Sequence, residues 1–322
     1  MRKMENNQKY VLIIGSSNMD LNVYSKRLPK PGETVTGGIF QQFLGGKGAN
    51  QAVASVRSGA NTVFIGKIGT DPFGDQMLSQ LSSEGIDISF TIKDSQHASG
   101  VAFIMIDESG ENMISVAPGA NFHLDKSDII KSADIIKNAT SLVVQMEIPI
   151  DTIEEVFKIA SEGDVIKILN PAPLKAIPVN TLKKIDILVP NEGELYRLYT
   201  LLNLPEIKSE GKNKIIQTSK AIADLGINFV ITTLGSEGSL IYDRENEAVL
   251  EIPAVKVKAI DTVGAGDCFN GVLASKLCKG ESIVNAVKYA TAAASIAVTR
   301  KGAQASMPYA NEIGEQFKRI KQ

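Results

Sequence analysis

Short apolar runs alternate with longer amphipathic stretches along most of the chain. Runs rich in β-branched residues predict buried strands at residues 10–14, 62–65, 141–145, 165–169, 185–189 and 229–232. Apolar residues recur at helical spacing near residues 48–58, 75–84, 126–137, 151–162, 192–202, 215–225, 267–279 and 282–298. This alternation predicts a three-layer α/β fold, in which helices cover both faces of a mostly parallel sheet.

Two stretches break the alternation. Residues 33–43 have the pattern of short strands around the flexible pair Gly37-Gly38, and residues 98–117 have that of a hairpin with arms at 101–106 and 112–117. The first arm is apolar at consecutive positions, so both of its faces need cover. We expect a small separate sheet with a ligand on one face and a second subunit on the other. The alternative is a hairpin buried in its own core.

Composition and charge narrow the class of protein. The chain has 322 residues and a formal net charge of −2, and without a long basic run it gives no indication of nucleic-acid binding. No apolar run reaches the roughly 18 residues that span a membrane, and residues 1–9 lack the apolar core of a signal peptide. Cys268 and Cys278 fall on one predicted helix, about 15 Å apart, so they cannot bridge. A cytoplasmic setting is therefore expected.

A glycine turn at residues 264–266 precedes Asp267 and opens a predicted helix. Such a turn presents free backbone amides to an anion, and the helix dipole adds to the attraction. An aspartate in a first helical turn can be ordinary helix chemistry. The other interpretation is a phosphoryl transferase, in which the amides hold the transferred group and Asp267 accepts a proton from the attacking hydroxyl. We expect its carboxyl at the mouth of a glycine-lined pocket.

Polar residues follow several predicted strands, where ligands collect in open α/β sheets. They are Asn18, Asp20, Glu147, Asn191 with Glu194 one turn on, and the segment 233–238. A second glycine turn, Gly45-Gly46-Lys47-Gly48-Ala49-Asn50, also opens a predicted helix. No Ser or Thr follows Lys47, so this is not a Walker loop, and 264–266 lacks the third glycine of a dinucleotide fingerprint.

These motifs resemble the two signatures of the ribokinase-like (PfkB) sugar kinases. The signature runs are residues 45–51 and 261–267, and further matches occur at 15–20, 31–34, 170–173, 190–192 and 298–304. The resemblance covers essentially the whole chain. It implies a ribokinase-like, Rossmann-like fold and transfer of the γ-phosphoryl group of ATP to the 5-hydroxyl of D-ribose. Related kinases acting on deoxyribose, a nucleoside or fructose, and a non-catalytic sugar- or nucleotide-binding regulator, are the alternatives.

The resemblance also implies roles for individual residues. Asp267 would be the catalytic base, and the amides of Gly264, Ala265 and Gly266 would form the anion hole. Contacts to the sugar would come from Asn18, Met19, Asp20, Gly46, Lys47, Gly48, Ala49, Asn50, Glu147 and Asp267. Asn191 and Glu194 would lie near the phosphates and Mg²⁺. The nucleotide would also meet Thr233, Leu234, Gly235, Ser236, Glu237, Gly238, Gly266, Asp267 and Thr291, the last where some relatives carry His.

A monovalent cation and a dimer complete the picture that the resemblance implies. Potassium would bind, in part through carbonyl oxygens, at Asp261, Val263, Ala297, Arg300, Gly302 and Ser306. Residues 16–43 and 98–117 would form a substrate lid that is also the homodimer contact. The main domain would then comprise residues 1–15, 44–97 and 118–322. Residues 204–214 have the character of a surface insertion and predict no function.

Overall fold

An eight-stranded sheet and a separate four-stranded sheet organise residues 8–320, the part of the chain that this computed structural model describes. The expectation that the N-terminal segment is no signal peptide lies outside the described residues for positions 1–7. The strands, in chain order, are β1 Val11–Ile14, β2 Asn18–Tyr24, β3 Ile39–Gly45, β4 Thr62–Ile65, β5 Lys67–Gly69, β6 Ile92–Asp94, β7 Gly100–Ile106, β8 Asn112–Ala117, β9 Ser141–Gln145, β10 Ile166–Asn170, β11 Ile187–Leu188, β12 Phe229–Thr233, β13 Ser239–Asp243 and β14 Ala248–Ile252.

Helices lie between the strands in the predicted alternation. The α-helices are α1 Lys47–Arg57, α2 Pro72–Ser83, α3 Lys126–Lys131, α4 Ala133–Lys137, α5 Ile150–Ala160, α6 Val179–Leu182, α7 Glu192–Leu201, α8 Gly211–Ala223, α9 Ala265–Cys278, α10 Ile283–Ala297 and α11 Ala310–Ile320. The pattern at 126–137 is two helices, because the chain leaves helical geometry at Ser132. None of the helices within 8–320 has the length and apolar character needed to cross a bilayer.

The large sheet has the order β14-β13-β12-β11-β10-β9-β1-β4. Its strands from β12 to β4 are parallel, whereas β13 and β14 add an antiparallel edge that the sequence pattern did not predict. Alternate residues of β1 face opposite layers: Val11 and Ile13 belong to one apolar core, Leu12 and Ile14 to the other. A sheet buried on both faces is the predicted three-layer α/β fold, which is confirmed.

The small sheet has the order β3-β2-β7-β8 and contains the predicted hairpin as β7 and β8. Two expectations about its other members were wrong. Residues 33–38 are not a strand, and only 39–45 pair with β2. Asn18 and Asp20 lie within strand β2 of the small sheet, not in a loop at the end of β1.

The first signature helix, α1, packs closely along the second, α9. A Cβ placed on Gly271 of α9 would lie 2.3 Å from the carbonyl oxygen of Gln51, so only glycine permits this approach. Cys268 and Cys278 on α9 are buried and unbridged, as predicted. The contact between the two helices brings the first turns of both to the same end of the sheet.

Candidate active site

The glycine turn at residues 264–266 places Asp267 in the first turn of α9. Gly264 precedes the helix with φ 75°, a left-handed conformation that favours glycine. The helix start combines free amides with the positive end of the dipole. A Cβ on Gly266 would meet no atom of the described residues within 4 Å, so packing does not demand glycine there. The space that a side chain at position 266 would occupy is therefore open.

The Asp267 carboxyl is buried, with 6 % exposure, and does not stand at an open pocket mouth. Two amides from α1 hold it: Asn50 Nδ2 donates to Oδ2 and Gln51 Nε2 donates to Oδ1, each at 2.9 Å. Asn50 was a predicted site residue, whereas Gln51 was not singled out. Its position beside Asn50 in the glycine-lysine run was the available signal. The close packing of α9 on α1 brings both amides within reach.

Packing against the chain after β1 explains the glycines at the start of α1. Gly46 has φ 87°, and a Cβ there would lie 2.7 Å from the backbone nitrogen of Asn18. A Cβ on Gly48 would lie 2.7 Å from the backbone nitrogen of Ser16. Backbone atoms cannot yield as a flexible side chain can. The glycines therefore fix the start of α1, and with it Lys47, against the loop that leads into β2.

Glu147, just beyond β9, ties this start to the main sheet. Its Oε2 accepts a hydrogen bond from the Lys47 amide at 3.0 Å and another from the Ser16 hydroxyl. Hydrogen bonds and electrostatic interactions connect residues 20, 47, 50, 147 and 267, which were all predicted to contact the sugar.

Asn18 and Asp20 occupy alternate positions of β2 and so point to the same side of the small sheet. Asn18 Oδ1 accepts a hydrogen bond from Asn121 Nδ2 at 2.8 Å, and Asn121 also bonds both backbone groups of Ser17. Sequence reasoning missed Asn121, which lies in the 3₁₀ turn Gly119–His123. Met19 points to the other side and is buried in the core, so any sugar contact from it would be through the backbone.

Several carboxyl groups crowd around one ammonium group. Burial, then the charges of Glu147 and Asp267, raise the pKa of Asp20 to about 7. Burial also raises the pKa of Glu194. The charge of Asp267, reinforced by Glu147 and Glu194, raises the pKa of Lys47 and so keeps its ammonium protonated despite burial. The cluster can bind hydroxyl groups through its oxygens and a phosphoryl oxygen through Lys47.

The predicted phosphate and nucleotide residues lie along the same end of the sheet. Asn191 and Glu194 form a capping box on α7: Glu194 N donates to Asn191 Oδ1 at 2.8 Å, and Asn191 N donates to Glu194 Oε2 at 2.9 Å. This box is a structural reason for both residues that sequence reasoning did not foresee. Asn191 forms a β-bridge with Thr233, where the loop 234–238 begins.

The nucleotide loop and Thr291 differ in how much they are enclosed. The loop contains the 3₁₀ turn Gly235–Glu237, whose three residues are exposed. A Cβ on Gly238 would lie 2.0 Å from the Ile252 carbonyl oxygen, so glycine is needed for the loop to rejoin the sheet. Thr291, on α10, is buried, and its hydroxyl bonds to no group within residues 8–320. A buried unpaired hydroxyl is suited to a ligand contact.

Two loops meet beside the start of α9, where the cation was predicted. Asp261 accepts hydrogen bonds from the amides of Val263 at 3.0 Å and Gly302 at 2.9 Å, which joins the two loops. The Ala297 carbonyl oxygen accepts from the Arg300 amide, and the Arg300 guanidinium pairs with Glu312. The Ser306 side chain is buried and bonds the Ala303 carbonyl oxygen. The described residues contain no cluster of three or more His, Cys, Asp or Glu with metal-binding geometry.

A buried carboxylate in the first turn of a helix, beside a lysine and further carboxyl groups at one end of an α/β sheet, is the arrangement expected of a phosphotransferase. The family model for pfkB family carbohydrate kinases matches residues 8–310. The chain belongs to this family.

Named relatives share most of the chain. A ribokinase of Staphylococcus aureus is 39% identical over 307 residues, covering 95% of this chain and 98% of the relative. A deoxyribokinase of Salmonella typhi is 34% identical, with 95% and 97% covered. The structure of Arabidopsis thaliana ribokinase complexed with ribose and ATP matches with a TM-score of 0.88 and 31% identity, over 97% of this chain and 99% of that one. The family that the sequence motifs indicated is confirmed.

Proposed function

We propose that the protein transfers the γ-phosphoryl group of ATP to the 5-hydroxyl of D-ribose, giving ribose 5-phosphate and ADP. The relatives named as ribokinases, and the Arabidopsis structure with ribose and ATP, support this substrate pair. The observation that carries the proposal is the placement of Asp267. Its carboxyl lies in the first turn of α9 and accepts a hydrogen bond from Asn50 of α1. Helix α1 begins at Lys47.

Each group has one task in this reaction. The sugar oxygen forms a bond to the γ-phosphorus as the bond to ADP breaks, and the hydroxyl proton passes to Asp267. The amides of residues 264–267 and the Lys47 ammonium oppose the negative charge of the transferred group. The other hydroxyl groups of the sugar exchange hydrogen bonds with Asn18, Asp20, Asn50 and Glu147. These hydrogen bonds orient the sugar.

Two metal ions belong to the proposal. Mg²⁺ carried by ATP would lie near Asn191 and Glu194, where the buried Glu194 carboxyl contributes negative charge. Mg²⁺ supplies charge neutralisation on the phosphates when bound. A monovalent cation, potassium, would be held by the two loops that Asp261 joins, since loop carbonyl oxygens suit a hard, weakly charged ion. The Val263 and Gly302 amides that bond Asp261 keep these loops together.

We also propose that the small sheet is a lid and the contact surface of a homodimer. Apolar side chains about half or more exposed occupy both of its faces: Ile39, Ile114 and Val116 on the Asp20 face, and Phe40, Phe103 and Met113 on the other. Such a patch is costly in water, and a bound sugar covers only part of it. A second copy would cover the rest, which Phe103→Glu should disrupt. A monomeric wild-type protein in sedimentation experiments would contradict the dimer.

The Asp267→Asn variant tests the proposed base. We expect it to bind sugar and nucleotide while kcat falls about 10²- to 10⁴-fold, the usual contribution of a positioned base. Asp75→Asn is the matched control, because Asp75 also lies in the first turn of a helix, α2, but is exposed. An Asp267→Asn enzyme with near-normal kcat would refute the assigned role.

Deoxyribose is the second candidate substrate, and the deoxyribokinase relative at 34% identity favours it. Measuring ADP release with ribose, deoxyribose, fructose and nucleosides separates these possibilities. A kcat/KM higher for ribose than for deoxyribose supports ribose phosphorylation. Binding without ADP release from any substrate would instead indicate a regulator.

A further inference from the structure

A chain of buried amide side chains runs from Asp267 into the core between the signature helices and the sheet. Gln51 Nε2 donates to Asp267 Oδ1 at 2.9 Å and to Asn170 Oδ1 at 3.2 Å. Gln145 Nε2 donates to Gln51 Oε1 at 2.6 Å. Gln51 and Gln145 have no exposed surface, and Asn170 has 7 %. Buried polar groups of this kind are costly unless they are bonded, so the network calls for a reason.

The network has a defined direction of donation. Asn170 Nδ2 donates to the Val189 carbonyl oxygen at 3.0 Å, and a carbonyl can only accept. The amide of Asn170 is thereby oriented with its oxygen towards Gln51. Gln51 must then present its NH₂ group to Asn170, and the second hydrogen of that group meets Asp267. If the Gln51 amide were rotated by 180°, its oxygen would face two other oxygens, Asn170 Oδ1 and Asp267 Oδ1, and both hydrogen bonds would be lost.

We infer that Gln51 is a positioning residue for the base, held in turn by Gln145 and Asn170. Gln51 fixes the rotation of the Asp267 carboxylate about its Cβ–Cγ bond, while Asn50 bonds the other carboxylate oxygen. The orientation of the carboxylate therefore stays constant. This inference rests on the proposed function, because it needs Asp267 to act as the base.

Several other charged groups belong to the same electrostatic cluster as this base. Lys47 lies on α1, Asp20 on β2, Glu147 follows β9 and Glu194 lies on α7. They differ from Gln51 in belonging to the ligand-binding cluster, where their loss would change substrate affinity. Gln51 has no exposed surface, so its loss should change the orientation of the base and not the contacts of the sugar. This difference separates a positioning role from a binding role.

The test is the Gln51→Met variant, which keeps a similar length and removes the amide. We expect kcat to fall about 10- to 100-fold, as for a misaligned reacting group, while the sugar KM changes less than about 3-fold. In the Asp267→Asn background the same change should alter the residual rate less than about 2-fold, because no base remains to be aligned. An equal loss in both backgrounds would overturn the inference.

Two further variants distinguish the loss of this network from a general loss of stability. Gln145→Leu removes the donor to Gln51 Oε1 without touching Asp267, and it should lower kcat by a smaller factor at unchanged KM. Ser55→Ala is the control: Ser55 is fully buried one turn along α1 and bonds Thr62, so its loss weakens the same helix but not the network. If Gln51→Met keeps full kcat, or if Ser55→Ala lowers kcat as much as Gln51→Met does, the positioning role is refuted. If Asp267→Asn loses activity while Gln51→Met keeps a normal kcat, the positioning role of Gln51 is refuted and the proposed function is not.

Discussion

Replacing Asp20 by asparagine should stabilise the ligand-free protein above neutral pH, although Asp20 is a proposed sugar ligand. Burial, and then Glu147 and Asp267, raise the pKa of Asp20 from 3.8 to about 7. Its charged form is therefore unfavourable in the folded protein. Asparagine has almost the same size and cannot ionise. The Asp20→Asn variant removes this cost and keeps an oxygen and an NH₂ group at the site.

The sign and size of the effect follow from proton linkage. Between about pH 4 and pH 7 the folded protein retains a proton on Asp20 that the unfolded chain releases, so wild-type stability falls as pH rises. At about 1.4 kcal/mol per pH unit, the cost reaches about 4 kcal/mol above pH 7. The gain of the variant should be largest near pH 8, under about 2 kcal/mol near pH 5, and absent below about pH 4.

Thermal unfolding of wild type and variant across this pH range measures the difference. We expect the variant to melt several degrees higher at about pH 8, and ribose to stabilise the wild type but not the variant. Asp71→Asn is the opposite control. Burial alone would raise the pKa of Asp71, but hydrogen bonds from the Ser99 and Gly74 amides lower it, so this variant should lose stability at the same pH. An Asp20→Asn variant less stable than wild type at every pH would refute the reasoning.

Two further changes probe the glycine turn and the cation loops. Gly48→Ala places a Cβ 2.7 Å from backbone atoms of Gly15 and Ser16, so we expect a lower melting temperature and a raised sugar KM; an unchanged KM would show that the start of α1 does not position the sugar. Asp261→Ala removes the acceptor that joins the Val263 and Gly302 amides, so kcat should respond less to potassium at constant ionic strength. If the Asp261→Ala variant keeps the full potassium response, the cation binds at another site.

The sequence pattern predicted the parallel part of the sheet because those strands are continuous apolar runs between amphipathic helices. It missed β13 and β14, which pair antiparallel and form a hairpin with no helix between them. Strand β14 has an exposed central part, so it lacks the apolar run that identified the others. The glycine-lysine run and the Gly264-to-Asp267 turn predicted the starts of α1 and α9, because their glycines reflect backbone conformation.

Other parts of the site depend on tertiary contact and could not be read from spacing. Gln145 and Asn170 end neighbouring parallel strands, and only their meeting with α1 joins them to Asp267. Asn121 is far from Asn18 in the chain and has no local signal. Sequence reasoning also gave Asn191 and Glu194 only a ligand role, whereas the structure bonds them to each other as a cap.

Under the proposed function, helix α1 would connect sugar binding to proton transfer. Its first turn carries Lys47, and the adjoining residues Asn50 and Gln51 hold both oxygens of Asp267. Under the proposed function, a sugar that shifts this helix start would therefore also move Asn50 and Gln51, which bond the Asp267 carboxylate. Because backbone contacts of Gly46 and Gly48 fix the same turn against the loop before β2, such a movement must include that loop and Asn18. We therefore expect variants of this turn to change both the sugar KM and kcat. Variants of Gln145, which bonds Gln51 and not Asp267, should change kcat alone.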